Sequence, residues 1–244
     1  MKKLNVTVWD ETQGPLGPYP NGIHQAIADF LVESGQFGQV RTATQPEPEH
    51  GLTDEVLANT DVLLWWAHSY HQDVCDEIIQ KVYKRVLEGM GLLVLHSAHN
   101  SKIFKKLLGT ESGKLRWRED GELERVWTIE RNHPITVGIP DYFDIPNSEM
   151  YGERFDIPAP DELLFISWYE GGEVFRSGCT FRRGLGNIFF FSPGHETFPI
   201  YYMPEVQKIL INGIKWAAPL DVEPFVTGHM VVSPEAARVD NGQK

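Results

Sequence analysis

Two short histidine motifs hold the residues of this sequence best suited to chemistry. Four of the nine histidines form two H-x-x-H pairs, which are His68 with His71 and His96 with His99. Each pair follows an apolar run, residues 61–67 for the first and 91–95 for the second. Such a run predicts a strand buried on both faces, as in a parallel sheet, where ligands bind beyond the carboxyl ends of the strands. Imidazole in that place can bind a metal or transfer protons.

Further acid–base and ligand groups are expected at the same edge of the sheet. They are Asp10 and Glu11 after the first predicted strand, His195 and Glu196 after a strand at 187–191, and His24 in the first helical turn. Zinc binds three or four N, O or S donors, so two or three histidines with Glu11 or Glu149 can form an open zinc site. The same groups can move protons on a sugar without a metal, and strand-end histidines can also simply hydrogen-bond to loop backbone. The expected convergence carries the hypothesis, because H-x-x-H alone is a weak pattern.

The aromatic residues divide into core and rim candidates. The pattern places most tryptophans in the core, Trp117 and Trp127 among them. Tyr19, Tyr70 and Tyr151 are candidates for the rim of a site, where an aromatic ring can stack on a sugar ring.

Composition and missing motifs exclude several classes of protein. A net charge of −12 argues against nucleic-acid binding, which needs a basic surface. The sequence contains no apolar stretch of membrane-spanning length and no signal-peptide pattern at its N-terminus, so we expect a cytoplasmic protein. The phosphate-binding loop and the G-x-G-x-x-G fingerprint are both missing, which argues against a nucleotide cofactor. Two cysteines give no disulfide framework.

The predicted elements alternate between strand and helix. Strands are expected near 4–9, 40–44, 61–67, 91–95 and 187–191, and helices near 23–31 (capped by Asn21), 74–86, 103–108 and 206–217. This order predicts an α/β fold with a doubly wound, mostly parallel, flavodoxin-like sheet. Residues 113–185 read as a β-rich elaboration of the same domain. We expect one domain over 1–218 and a C-terminal tail, 219–244, that packs on a neighbouring subunit of a homo-oligomer.

Four ordered segments resemble the trehalose-utilisation (ThuA-like) family, whose fold resembles that of the class I glutamine amidotransferases. They are residues 91–96, 133–140, 148–151 and 189–196, within a resemblance that spans roughly residues 4 to 217. In amidotransferases the turn after the fourth strand presents a nucleophilic cysteine, whereas here His96 stands in the corresponding turn. The resemblance therefore implies that glutaminase activity is absent. It also matches His195 and Glu196 to the amidotransferase histidine and its acidic partner, and Glu149 to a family carboxylate that is the preferred general base or metal ligand.

The leading hypothesis is an enzyme of carbohydrate utilisation that acts on a disaccharide or keto-sugar as a lyase, isomerase or hydrolase. His96, His195 and Glu149 are the expected catalytic residues, and Asp10, Glu11, Tyr151 and Glu196 the expected substrate-binding residues. A divalent metal such as zinc is the expected cofactor, held by His68, His96 and His24. The alternatives are a non-catalytic sugar-binding protein on a degenerate amidotransferase scaffold and a metallohydrolase of a non-sugar substrate.

Overall fold

The computed structural model describes residues 3–11 and 17–222, which form a single nine-stranded sheet flanked by five α-helices. The strands are β1 (Val6–Asp10), β2 (Val40–Thr44), β3 (Val62–Trp66), β4 (Gly91–Leu95), β5 (Arg116–Thr128), β6 (Tyr142–Gly152), β7 (Glu162–Tyr169), β8 (Val174–Arg183) and β9 (Gly186–Phe191). The helices are α1 (Ile23–Glu33), α2 (Asp54–Ala58), α3 (Asp76–Leu87), α4 (Lys102–Leu108) and α5 (Pro204–Trp216).

The sheet has a parallel half and an antiparallel half. Its order is β2-β1-β3-β4-β9-β8-β7-β5-β6. Strands β2, β1, β3, β4 and β9 pair in parallel, in the flavodoxin-like order. The four remaining pairings, from β9 across to β6, are antiparallel. The expected mostly parallel sheet is therefore only half right. The antiparallel strands β5 to β8 lie in the chain between β4 and β9, and several are joined by short turns such as residues 170–173, which suit antiparallel neighbours.

Helices cover both faces of the parallel half, and this explains its unbroken apolar strands. Alternate residues of a strand point to opposite faces. Leu93 packs in the core that contains α1 and α5, while its neighbour Leu92 packs in the core that contains α2, α3 and α4. Every residue of β1, β3 and β4 is consequently buried.

The first helix begins differently from the sequence prediction. Asn21 was the expected cap, but the helix is preceded by Gly22, whose φ of 84° favours glycine. The capping role falls to Asp10, because its Oδ2 accepts a hydrogen bond of 2.8 Å from the backbone N–H of His24. A side chain from the end of β1 thus ties the start of α1 to the sheet edge.

One expectation concerns residues that the structure does not describe. Most of the predicted tail, residues 223–244, lies outside the described residues, as do residues 12–16. Packing of the tail on a neighbouring subunit therefore stays a prediction. Within the described part of the chain, no helix has the length and apolar character needed to cross a bilayer.

Candidate active site

His96 occupies a constrained turn at the carboxyl end of β4. Its φ is 55°, a left-handed conformation that costs a non-glycine residue about 1–3 kcal/mol and is concentrated at functional sites. The ring stacks near Trp66 on one side, with centroids 6.4 Å apart, and near Tyr151 at 5.5 Å. Its Nδ1–H donates to the Ser192 carbonyl at 3.1 Å. These contacts orient the imidazole and leave its Nε2 buried without a hydrogen-bond partner.

His68 is held in an equivalent way just beyond β3. Its Nδ1–H donates to Glu196 Oε1 at 2.5 Å. Burial lowers the pKa of His68, but the hydrogen bond and charge of Glu196 outweigh burial and leave that pKa raised. Burial likewise raises the pKa of Glu196, yet His68 brings it down to about 2. Glu196 therefore orients His68 through Nδ1, and the Nε2 atom of His68 takes no part in this hydrogen bond.

His195, beyond β9, has the opposite arrangement. Its Nδ1 accepts a hydrogen bond of 3.1 Å from the backbone N–H of Thr197, so in the neutral ring the proton lies on Nε2. Burial, with the nearby charge of His96, lowers the pKa of His195 and favours this neutral form. Nε2–H lies 4.0 Å from Glu149 Oε2 and 3.5 Å from Glu119 Oε1. His195 is thus prepared to donate a hydrogen bond.

Glu149, on β6, brings a carboxylate to the three imidazoles. Its Oε2 is 3.3 Å from His96 Nε2, and the ligand atoms of Glu149, His68, His96 and His195 all lie within 4.8 Å of one another. Burial raises the pKa of Glu149, but the three histidines together lower it, so the carboxylate is ionised. His96 Nε2, His195 Nε2 and Glu149 Oε2 are all buried without a hydrogen-bond partner. Buried polar atoms rarely lack partners, so this convergence indicates a ligand-binding centre.

The donor set fits a divalent metal ion. His68 and His96 each present Nε2 while Nδ1–H is bound by an oxygen, which is the usual arrangement of metal-binding histidines. Glu149 adds an ionised carboxylate, and three protein donors are typical of a catalytic zinc site that keeps a position open. His195 does not fit as a ligand through Nε2, because its Nδ1 already accepts a hydrogen bond.

The structure places three of the expected site residues outside this centre. His24 pairs with Asp10, its Nδ1 lying 2.7 Å from Oδ2, and it does not join the four-residue cluster. Both oxygens of Glu11 accept backbone N–H groups, from Ser69 and from Tyr70 at 2.9 Å. Asp10 and Glu11 therefore hold the helix and loop around the site, whereas they were expected to contact substrate.

Tyr151 and Tyr19 are less accessible than a rim position requires. Tyr151 is buried, with its hydroxyl in close contact with the Ser97 hydroxyl, and its ring supports His96. Tyr19 is fully buried and donates to the Phe198 carbonyl at 2.7 Å. Of the three candidate rim tyrosines, only Tyr70 is exposed.

Two residues of β5 lie at the site although the sequence did not predict them there. Glu119 lies beside His195, and Trp117, expected in the core, has 65% of its surface exposed. Trp117 lines a pocket of about 200 Å³ that reaches His68 and Glu149. The spacing of Trp117 and Glu119 puts them on one face of a strand, but nothing in the sequence indicates which strands lie beside β5.

Solved structures share this architecture. A putative ThuA-like protein from Parabacteroides merdae is 17% identical, with a TM-score of 0.65 over 91% of this chain and 93% of that one. A cytoplasmic protein from Salmonella typhimurium is 13% identical, with a TM-score of 0.59 over 89% and 100%. A glutamine amidotransferase from Thermotoga maritima is 14% identical, with a TM-score of 0.51 over 88% and 84%. These likenesses define the class, an α/β protein with an amidotransferase-like fold.

The sequence profile of the ThuA family, described as trehalose utilisation, matches residues 5–217. The chain belongs to this family, and the resemblance inferred from the four sequence segments is confirmed. No curated protein matches the chain in sequence. Neither cysteine belongs to the turn after β4, since Cys75 precedes α3 and Cys179 is buried on β8.

Proposed function

We propose that this protein is a metal-assisted enzyme of sugar utilisation. His68, His96 and Glu149 would hold a divalent ion such as zinc, and His195 would act on the substrate. The observation that carries the proposal is the convergence of buried, unpartnered atoms, His96 Nε2, His195 Nε2 and Glu149 Oε2, next to a pocket. Membership of the trehalose-utilisation family supports a sugar as substrate.

The site residues divide the chemistry between them. A bound divalent ion supplies Lewis acidity to a carbonyl or hydroxyl oxygen. His195 presents a neutral Nε2–H, which can donate to an oxygen that gains negative charge when a proton leaves the neighbouring carbon of a keto-sugar. Glu119, 3.5 Å from that nitrogen and partly exposed, is placed to accept a proton. Such a set of groups suits elimination or isomerisation.

Glutaminase activity is not expected from this site. The amidotransferase reaction needs a thiolate nucleophile, and His96 occupies the constrained turn in this chain. We accordingly propose that the protein releases no ammonia from glutamine. A sugar partner, a homo-oligomeric state and a cytoplasmic location remain parts of the proposal, and the similar Salmonella typhimurium protein is called cytoplasmic.

Metal analysis of chelator-free protein by mass spectrometry tests the metal centre. About one equivalent of a divalent metal is expected in the wild type and in the control His24→Ala, and it should be lost in His96→Ala. A metal-free wild type after growth with added zinc would contradict the metal-binding half of the proposal.

Turnover is tested separately, by NMR of trehalose and of its keto form incubated with the protein. Conversion by the wild type and none by His195→Gln is the expected result. Binding of these sugars without conversion by the metal-loaded wild type would instead favour a non-catalytic sugar-binding protein.

A further inference from the structure

Trp117 projects from β5 at the mouth of the pocket. It is more exposed than Trp127 on the same strand, at 65% against 40%, and exposing an indole to water is unfavourable unless something covers it. Its neighbours differ as well, because Trp127 packs against Tyr142 with ring centroids 4.9 Å apart. Trp117 therefore presents an open aromatic surface beside the candidate active site.

The same residue separates two spaces. Trp117 and Leu115 line the pocket of about 200 Å³ that reaches Glu149, and both also line an adjoining groove of about 550 Å³. The pocket is smaller than the roughly 300–1,000 Å³ of sites that enclose a drug-sized ligand, which suits one sugar ring better than two. A ligand too large for the pocket can therefore extend along the indole into the groove.

We propose that Trp117 forms a second subsite, on which the outer ring of a two-ring glycoside stacks while its inner ring occupies the pocket. The face of an aromatic ring is electron-rich and attracts the polarised C–H groups that make up one face of a pyranose. This inference rests on the proposed function, since it assumes that the ligand is a sugar. It makes Trp117 a specificity-determining residue that binds substrate away from the reacting atoms.

Calorimetric titration of the wild-type protein with glucose and trehalose tests the subsite. Trehalose should bind about tenfold more tightly than glucose, the size of effect expected for one aromatic stacking contact. Trp117→Ala should remove the advantage of trehalose over glucose, and Trp117→Phe should keep most of it. Trp127→Ala, the matched control on the same strand, should behave as the wild type.

The outcomes separate this inference from the proposed function. Glucose binding with no advantage for trehalose, or an advantage that survives in Trp117→Ala, would overturn the second subsite alone. Failure of the wild type to bind any of the sugars would overturn both the subsite and the sugar function.

Discussion

The two halves of the sheet contribute different parts of the candidate site. The parallel half, β2, β1, β3, β4 and β9, is covered by helices on both faces and supplies three imidazoles from the turns beyond β3, β4 and β9. The antiparallel half, β8, β7, β5 and β6, supplies the carboxylates Glu149 and Glu119 and the exposed Trp117. The imidazoles are buried or half-buried, whereas the groups from β5 reach solvent.

This division separates the enclosed imidazoles from the more exposed side chains of β5. The imidazoles depend on strand ends that stay aligned, because the parallel strands and the helices packed against them leave little freedom. Long antiparallel strands joined by turns tolerate changes on their exposed face, so Trp117 and Glu119 can vary without disturbing the core. Glu149 is the point at which the two halves meet, since its carboxylate lies among histidines of the other half.

The largest effect is expected where the halves meet. Glu149→Gln keeps the shape of the side chain but removes the carboxylate that would hold the metal ion, and turnover should fall by more than about 10²-fold, because even the outer partners of a metal site are worth about 10- to 100-fold. Steady-state kinetics on the keto-sugar measures it. Glu162→Gln, a similar change at the exposed start of β7, is the control and should leave turnover unaltered. Equal activity of both variants would remove Glu149 from the reaction.

A smaller effect is expected on the free energy of unfolding, which should depend more on core residues of the parallel half than on those of the antiparallel half. Leu93 on β4 is fully buried, and Leu93→Ala should lower the free energy of unfolding by about 2–5 kcal/mol. Leu163 on β7 is only partly buried, so Leu163→Ala should cost about 1 kcal/mol. Urea unfolding followed by circular dichroism compares them. A Leu163→Ala cost equal to that of Leu93→Ala would contradict the proposed difference in packing.

The pair of His68 and Glu196 gives a pH-dependent prediction for chelator-treated protein. Glu196, whose pKa falls from 4.5 to about 2, contributes stability above pH 4.5 that is lost as the pH falls toward 2. His68, whose pKa is raised above 6.5, contributes stability below pH 6.5 that is lost as the pH rises through its folded pKa.

Glu196→Gln should therefore lower the free energy of unfolding most between pH 4.5 and 6.5, by about 1–3 kcal/mol. Urea titrations of both proteins at several pH values measure the difference. A difference that keeps growing above pH 7 would show that the two side chains are not coupled as the geometry indicates.

The smallest effect on the free energy of unfolding is expected at Trp117, on the exposed face of the antiparallel half. Trp117→Ala should change the free energy of unfolding by less than about 0.5 kcal/mol, because the indole is mostly exposed. Trp65→Ala, in the buried strand β3, should cost about 3–5 kcal/mol. Thermal unfolding of the pair compares them, and a large loss in Trp117→Ala would mean that the indole has a structural role in place of a binding one.

Sequence patterns were most informative in the parallel half. The apolar runs predicted β3, β4 and β9, and the polar residues after them predicted which histidines come together at one edge. Because helices cover both faces of these strands, each strand is a continuous run of apolar residues. The residues of the site begin where such a run ends. The prediction failed for His24 and Asn21, because Asp10 binds His24 and also caps α1 from outside the helix.

The antiparallel half carried a weaker signal. Its strands are long and irregularly alternating, with register shifts between β5 and β6, and the order β8-β7-β5-β6 does not follow the chain. Trp117 therefore read as a core residue, and Glu119 gave no signal at all. Which strands become neighbours depends on pairing across many residues of chain, and local patterns do not record it.

Local apolar patterns and short motifs were enough to assign the family, the buried strands of the parallel half and the imidazoles at their ends. The partners of those imidazoles follow only from the folded chain. The hydrogen bonds of Ser192, Glu196 and Thr197 select which ring nitrogen carries the proton, and the sheet brings Glu149 from another half of the fold. A protonation state depends on atoms within hydrogen-bond distance, and only the folded chain sets those distances.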